Sequence, residues 1–307
     1  MSSKAQSVIL ILLALLILLG GCTAQTEERT TELLSEIQWP SSDAQVHTRR
    51  DYSLSTEVEA FMQAFPGISI AHARIDETPI YEVYRTDGKN MPLLIFLHEQ
   101  GNRKEEFLEV ASTYAQSGYF CVLMDLPGYG ERTSDETIQA VESIVTSSAE
   151  IDLLLEYYRF SPLANSSRFA LWGVSMGGSA AYHYAAYGQH DPALMLICSA
   201  QADLTRLTNT GSITSGKEHA PTWSAQELLQ YCEANNPLNR LERLATIPAF
   251  IVHGCKDTVI PVDPVRELEG VLSPYGCARF LFLEDAGHDT VPSMLSYASA
   301  MLNQYLR

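Results

Sequence analysis

Two kinds of hydrophobic pattern run along this chain. The stretches "ISIAHARI" and "PIYEVYRT" alternate apolar and polar positions, the period of a strand with one buried face. They predict an antiparallel pair. Beyond them the pattern changes to unbroken apolar runs: "PLLIFLH", "YFCVLMD", "RFALWGV", "ALMLICS", "PAFIVHG" and "RFLFLED". Runs without alternation predict strands buried on both faces, as in a mostly parallel sheet covered by helices on either side. Helices are predicted between them over 104–117, 137–160, 177–187, 264–272 and 291–305. Upstream, Thr56 and Glu59 form a capping box that opens a short helix, and Pro66-Gly67 stops it near Phe65.

One connection is too long for a plain crossover. Residues 203–246 insert some forty positions between two strand runs, and Ser224 with Glu227 caps a helix running through about Ala234. Insertions of this length on an α/β scaffold serve as lids or binding elements, the alternative being a surface loop without a role. A helical cap is therefore expected. Its Trp223, Leu228, Leu229 and Tyr231 either line an apolar pocket or pack onto the body.

The amino terminus follows a different rule. Residues 8–19 are aliphatic or Ala throughout, preceded by Lys4. Twelve helical residues cover about 18 Å, short of the ~30 Å hydrocarbon core, which disfavours a membrane-spanning helix. Charge, a short apolar stretch and small residues fit a secretory signal over 1–21. Leu19-Gly20-Gly21-Cys22 resembles the lipobox of bacterial lipoproteins. That resemblance implies cleavage before Cys22 and its lipidation, and several acyl chains on one residue suffice for stable anchoring. The polar segment 22–55 then reads as a tether and 56–307 as one large α/β domain. The expectation is an extracytoplasmic protein, held to a cell-envelope membrane with the lipid bilayer as partner. An ordinary signal with an incidental cysteine is the alternative.

The chain carries 37 acidic and 20 basic residues, a net charge of −17. Such a surface argues against nucleic acid as a partner and against polybasic membrane docking. With Cys22 lipidated, five of the six cysteines remain, so full pairing within the chain is excluded. Cys121 and Cys198 lie in apolar runs, where a thiol behaves as a small hydrophobe. A single bridge among Cys232, Cys255 and Cys277 stays open. No Cys/His ligand cluster appears, so no metal site is predicted.

The chemistry is concentrated at Gly173-Val174-Ser175-Met176-Gly177, a G-x-S-x-G string between an apolar strand and a small-residue helix. A sharp strand-to-helix turn requires glycines there and lifts the serine hydroxyl above the sheet edge, at a helix N-terminus that favours developing negative charge. A serine needs a base, and His288 falls in the loop after the last apolar run. His98 and His253 read instead as turn or strand-end residues, and His183 as packed or solvent-facing. The imidazole needs a carboxylate to fix its tautomer. Asp257, just past "AFIVHG", is the candidate, with Asp203 and Asp289 as competitors.

The pieces "LIFLHEQGNRKEEF", "VLMDLPGYGER", "WGVSMGGSAA", "IPAFIVHGCKDTVIP" and "EDAGHD" occur in the order of the α/β-hydrolase superfamily. The chain resembles that superfamily from about Pro79 onward, nearest its dienelactone-hydrolase and prolyl-oligopeptidase-like branches. The resemblance implies an eight-stranded, mostly parallel sheet and cofactor-free acyl transfer to water, with Ser175, Asp257 and His288 as nucleophile, acid and base. It implies an oxyanion hole from the amides of Met176 and Gln100, Glu99 being next in line. Where such proteins commonly show His-Gly, this chain has His98-Glu99-Gln100-Gly101, which places a carboxylate beside that hole. Asp125 is expected to serve its turn, with Gly128 and Gly130 allowing the tight backbone. The first expectation is hydrolysis of a small carboxylic ester. A peptidase or amidase, or a binding protein that has lost chemistry, are the alternatives.

Overall fold

The structure, a computed structural model, describes residues 48–51, 56–132, 140–207 and 223–307. The signal segment, Cys22 and most of the expected tether lie outside the described residues. Among the described residues no helix is long and apolar enough to cross a membrane.

The sheet grows from the two patterns already noted. Strands β1 (Thr48–Asp51), β2 (Ile68–Ile75) and β3 (Thr78–Arg85) pair antiparallel, and β3 meets β5 (Phe120–Met124) antiparallel. The apolar runs supply β4 (Met91–Leu97), β5, β6 (Ala164–Val174), β7 (Leu194–Cys198), β8 (Ala249–Gly254) and β9 (Ala278–Leu283), all mutually parallel. Their order is β1-β2-β3-β5-β4-β6-β7-β8-β9. The eight strands from β2 onward are those the sequence predicts. The ninth, β1, comes from the stretch read as tether and extends the antiparallel edge.

Helices cover both faces: α1 (Thr56–Ala64), α2 (Leu108–Gln116) and α9 (Val291–Tyr305) on one, α3 (Ala140–Tyr158), α4 (Met176–Tyr187) and α8 (Val262–Leu272) on the other. Strand β4 explains why its run shows no alternation. Leu93, Ile95 and Leu97 point into one core, Leu94 and Phe96 into the other, and all five are fully buried. The two cores sandwich the sheet, and large apolar side chains at about 25 cal/mol per Å² of buried area dominate its stability.

The insertion forms α5 (Leu204–Leu207), α6 (Ala225–Ala234) and α7 (Leu241–Leu244). Ser224 Oγ accepts from the Glu227 amide and Glu227 accepts from the Ser224 amide, the capping box expected there. The insertion is moored to the end of α4, where Tyr187 Oη donates to the Asn236 carbonyl at 3.0 Å and Arg243 pairs with Asp191 at 2.8 Å. Cys121, Cys198 and Cys232 are buried, and Cys255 and Cys277 half-buried. All five are free, so the bridge left open by the sequence is not formed. Burial pushes the Cys198 and Cys232 thiols up, to about 12 and about 11.

Helix α4 carries a buried base. His183 is 4% exposed, stacks on Tyr187 at 4.8 Å, and has Nδ1 2.7 Å from Ser148 Oγ. Desolvation pushes its pKa down to about 4. The unfolded chain takes up this proton near pH 6.5 whereas the fold refuses it, so the contribution is whole above pH 6.5 and lost as pH falls towards 4. The linkage amounts to about 3 kcal/mol. Burial lowers His98 and His253 in the same sense. Urea midpoints are expected to fall between pH 7 and 4.5, and His183→Gln should flatten that slope. An unchanged slope would place the effect elsewhere.

Candidate active site

The topology brings four loops to one edge of the sheet. Strand β4 pairs with β5 on one side and β6 on the other, with Leu97 opposite Gly173, so the loops leaving β4 and β6 emerge side by side. Such a reversal of strand order is where open α/β sheets leave a crevice. Strands β8 and β9 end in register at Gly254 and Leu283, so the loops carrying Asp257 and His288 also leave together.

Ser175 stands between β6 and α4 with φ 52° and ψ −116°. A non-glycine residue held there stores about 1–3 kcal/mol of strain, which the surrounding packing must hold in place. The Ser175 amide donates to the Cys198 carbonyl at 2.8 Å, fixing the turn to β7. At Gly177 a Cβ would come within 2.1 Å of the Leu97 carbonyl oxygen, so only glycine lets α4 start against β4. Gly254 has the same office at the other loop, where a Cβ would meet the Gly287 carbonyl oxygen at 2.1 Å.

Ser175, His288 and Asp257 are brought together. His288 Nδ1 donates to Asp257 Oδ2 at 2.8 Å, leaving Nε2 to accept from Ser175 Oγ at 2.9 Å. The remaining Asp257 oxygen accepts from the Val259 and Ile260 amides at 2.8 and 2.9 Å. Burial works to raise the Asp257 pKa. The bond from His288 and the two amides outweigh it and hold the carboxyl below its usual range. His253 adds a neighbour, its Nε2 3.5 Å from Asp257 Oδ2 while donating to the Ile260 carbonyl at 2.9 Å. The His288 loop is itself pinned, for Thr290 Oγ1 lies 2.8 Å from Ser199 Oγ at the end of β7.

Asp203 is elsewhere. Its carboxylate caps α5 through Thr205, pairs with Arg206 and accepts from Asn236 Nδ2 at 2.8 Å, so its oxygens are taken up within the insertion.

The loop after β4 is set by His98. The Leu126 amide donates to His98 Nε2 at 3.0 Å, so Nδ1 carries the proton and donates to the Glu99 carbonyl at 2.7 Å. Desolvation lowers the His98 pKa and keeps this tautomer neutral. Among the described residues no peptide is cis, so the Glu99 carbonyl and the Gln100 N–H lie in one peptide plane and point in opposite directions. The carbonyl turned towards His98 therefore aims the Gln100 N–H the other way. Among the described residues neither the Gln100 nor the Met176 amide meets a backbone carbonyl. From sequence alone His98 reads as a turn or strand-end residue. Its position directly before the loop was the signal, but the partner atom on Leu126 comes from a distant strand end.

Farther along the same loop lies a buried ion cluster. Lys104, with no exposed side-chain surface, donates from its backbone N–H to Asp125 Oδ1 at 2.9 Å and from Nζ to Oδ2 at 2.8 Å. It also pairs with Glu131, and with Glu105 at 3.3 Å. Burial acts to lower the Lys104 pKa, and the surrounding carboxylates raise it past its ordinary value. Asp125 Oδ2 accepts the Glu131 amide as well, and a Cβ on Gly130 would run into Oδ1. Asp125 thus ties its own turn to the loop after β4, a wider role than the turn alone.

Ser175, Met176, His288, Glu99 and Gln100 open on a cavity of about 290 Å³, walled otherwise mostly by apolar side chains such as Ile144, Leu207 and Ile260. Of the insertion, Leu207 reaches this cavity. Trp223 and Tyr231 instead meet edge to face at 5.0 Å and border a separate cleft, while Leu228 packs on the core and Leu229 is exposed.

Residues 94–301 match the model of the Alpha/beta hydrolase family. The chain belongs to that family. It is 24% identical over 217 residues to YitV of Bacillus subtilis (strain 168), whose esterase name is itself provisional, covering 65% of this chain and 82% of that protein. TT1662 from Thermus thermophilus superposes with a TM-score of 0.61 at 21% identity, over 78% of this chain and 98% of that one. The Pyrococcus furiosus esterase Pf2001 does so at 0.59 and 17%, over 84% and 99%. The α/β-hydrolase fold is therefore shared with these structures. Two of these relatives, YitV and Pf2001, carry esterase names.

Proposed function

We propose that this α/β hydrolase cleaves carboxylic esters through an acyl-enzyme on Ser175, at the outer face of a membrane to which lipidated Cys22 holds it. The carrying observation is the unbroken chain of hydrogen bonds from Asp257 through His288 to Ser175, ending in a cavity. His288 Nε2 takes the Ser175 proton as Oγ attacks the carbonyl carbon, and Asp257 stabilises the imidazolium. The oxyanion is received by the Met176 and Gln100 amides, the first at a helix N-terminus. Each such donor is worth about 10²–10³ in kcat, because it is already oriented when charge develops. As the ester C–O bond breaks, His288 returns the proton to the leaving alcohol. Water then repeats the sequence on the acyl-enzyme and frees the acid. Anchoring rests on the lipobox-like Leu19-Gly20-Gly21-Cys22 behind a charged, short apolar segment.

A fluorophosphonate probe, applied to membrane and soluble fractions of cells making the full chain, tests both parts. A labelled membrane band is expected, absent in Ser175→Ala and moved to the soluble fraction in Cys22→Ala. Unlabelled folded protein would overturn the first part, and a labelled band already soluble the second. Faster turnover of aminoacyl anilides than of p-nitrophenyl esters would turn the reading towards a peptidase.

A further inference from the structure

One charge in the cavity is not used by this reaction. Of the described residues lining it, Glu99 alone is Asp, Glu, Lys or Arg. Glu99 Oε1 accepts from Asn102 Nδ2 at 3.1 Å, which steadies the carboxylate, and Oε2 stands 3.9 Å from His288 Nε2. Its side chain is 38% exposed, and among the described residues no Lys or Arg pairs with it. The Glu99 backbone serves the loop through His98, so the side chain is a separate element of the site.

We propose that Glu99 is a cation subsite that selects esters whose leaving alcohol bears an ammonium group two or three carbons from the ester oxygen. This rests on the reading of Ser175 and His288 given above. His288 Nε2 delivers the proton to the leaving oxygen, which must come within about 3 Å of it. Glu99 Oε2 approaches the same atom, so the alcohol chain starts beside the carboxylate. A neutral chain filling the cavity would strip water from Glu99 and leave a charge uncompensated, at a cost. An ammonium replaces that water with an opposite charge, and an anionic group meets repulsion. The bonds made and broken stay those of ester hydrolysis, with the amino alcohol leaving as the protonated hydroxyl compound.

Butyrylcholine and its uncharged isostere, 3,3-dimethylbutyl butyrate, test this with the full chain. The ratio of kcat/KM for the cationic to the neutral ester is expected to fall about five- to tenfold in Glu99→Gln. In the unchanged protein the same ratio should shrink as salt rises from about 0.01 to about 1 M, where the screening length contracts from ~30 to ~3 Å. The salt arm does not depend on the variant folding. A ratio unmoved by both, or no turnover of either ester while the serine still takes the fluorophosphonate label, overturns the subsite alone. No turnover and no label overturns the reading of Ser175 as well.

Discussion

Replacing Ser175 or His288 with alanine is expected to lower kcat on p-nitrophenyl butyrate by about 10⁶-fold, and replacing both should cost no more than either. The reason is geometric. The two side chains form one hydrogen-bonded unit at 2.9 Å, so removing either disables the same proton transfer. What remains, roughly 10³–10⁴ over water, is then expected from the proposed oxyanion amides and from binding. Asp257→Asn is expected to cost about 10⁴-fold while leaving the fold intact, because an amide at that position favours the other imidazole tautomer. Nδ1 would then become an acceptor and Nε2 would point its proton at Ser175. Single-turnover kinetics of the two single variants and the double variant decide the matter. Additive losses would mean that the residues act separately and that the hydrogen-bond chain is not the catalytic device.

The largest effect on stability is expected at Asp125. Removing one partner of a buried pair leaves an uncompensated charge and costs about 3–5 kcal/mol. Lys104 has no exposed side-chain surface, and Asp125 accepts from its ammonium, its backbone N–H and the Glu131 amide. Asp125→Ala should therefore lower the urea midpoint strongly, Glu131 and Glu105 compensating only part of the charge. Adding Lys104→Met to Asp125→Ala should recover a share of the loss, since the stranded ammonium is then gone. The cycle measured at pH 7 checks this. A loss under 1 kcal/mol in Asp125→Ala, or no recovery in the pair, would show that the cluster does not hold the loop. Activity should fall along with stability in the single variant, because the same contacts support the segment carrying Gln100.

Much of the fold can be read from one-dimensional pattern because burial on both sheet faces forces unbroken apolar runs. Every predicted parallel strand appears, and the helices differ from their expected limits mainly at the ends. The stretch 104–117 begins as a tight 3-10 turn over Lys104–Phe107 before α2. Lys104 opens the segment with its backbone N–H and ammonium both held by Asp125, a long-range contact that no local rule reports. Strand β1 was also unreadable, since four edge residues carry no core pattern of their own. The insertion shows the opposite case. Its capping box at Ser224 is local chemistry and could be read directly, whereas the setting of Trp223 and Tyr231 on a cleft apart from the serine is a tertiary arrangement.

What the sequence by itself determined is the fold class, the strand-turn-helix around Ser175 and the identity of the residues able to act as base and acid. These follow from hydrophobic period, glycine sterics and residue order, all local or linear properties. Only the tertiary structure decided that Asp257 rather than Asp203 meets His288, that His98 turns the Glu99 peptide, and that the Glu99 carboxylate faces the cavity. Each of those is a distance between atoms carried on different strands. The register of a sheet, set by the packing of both its faces, fixes such distances, and no stretch of chain contains them.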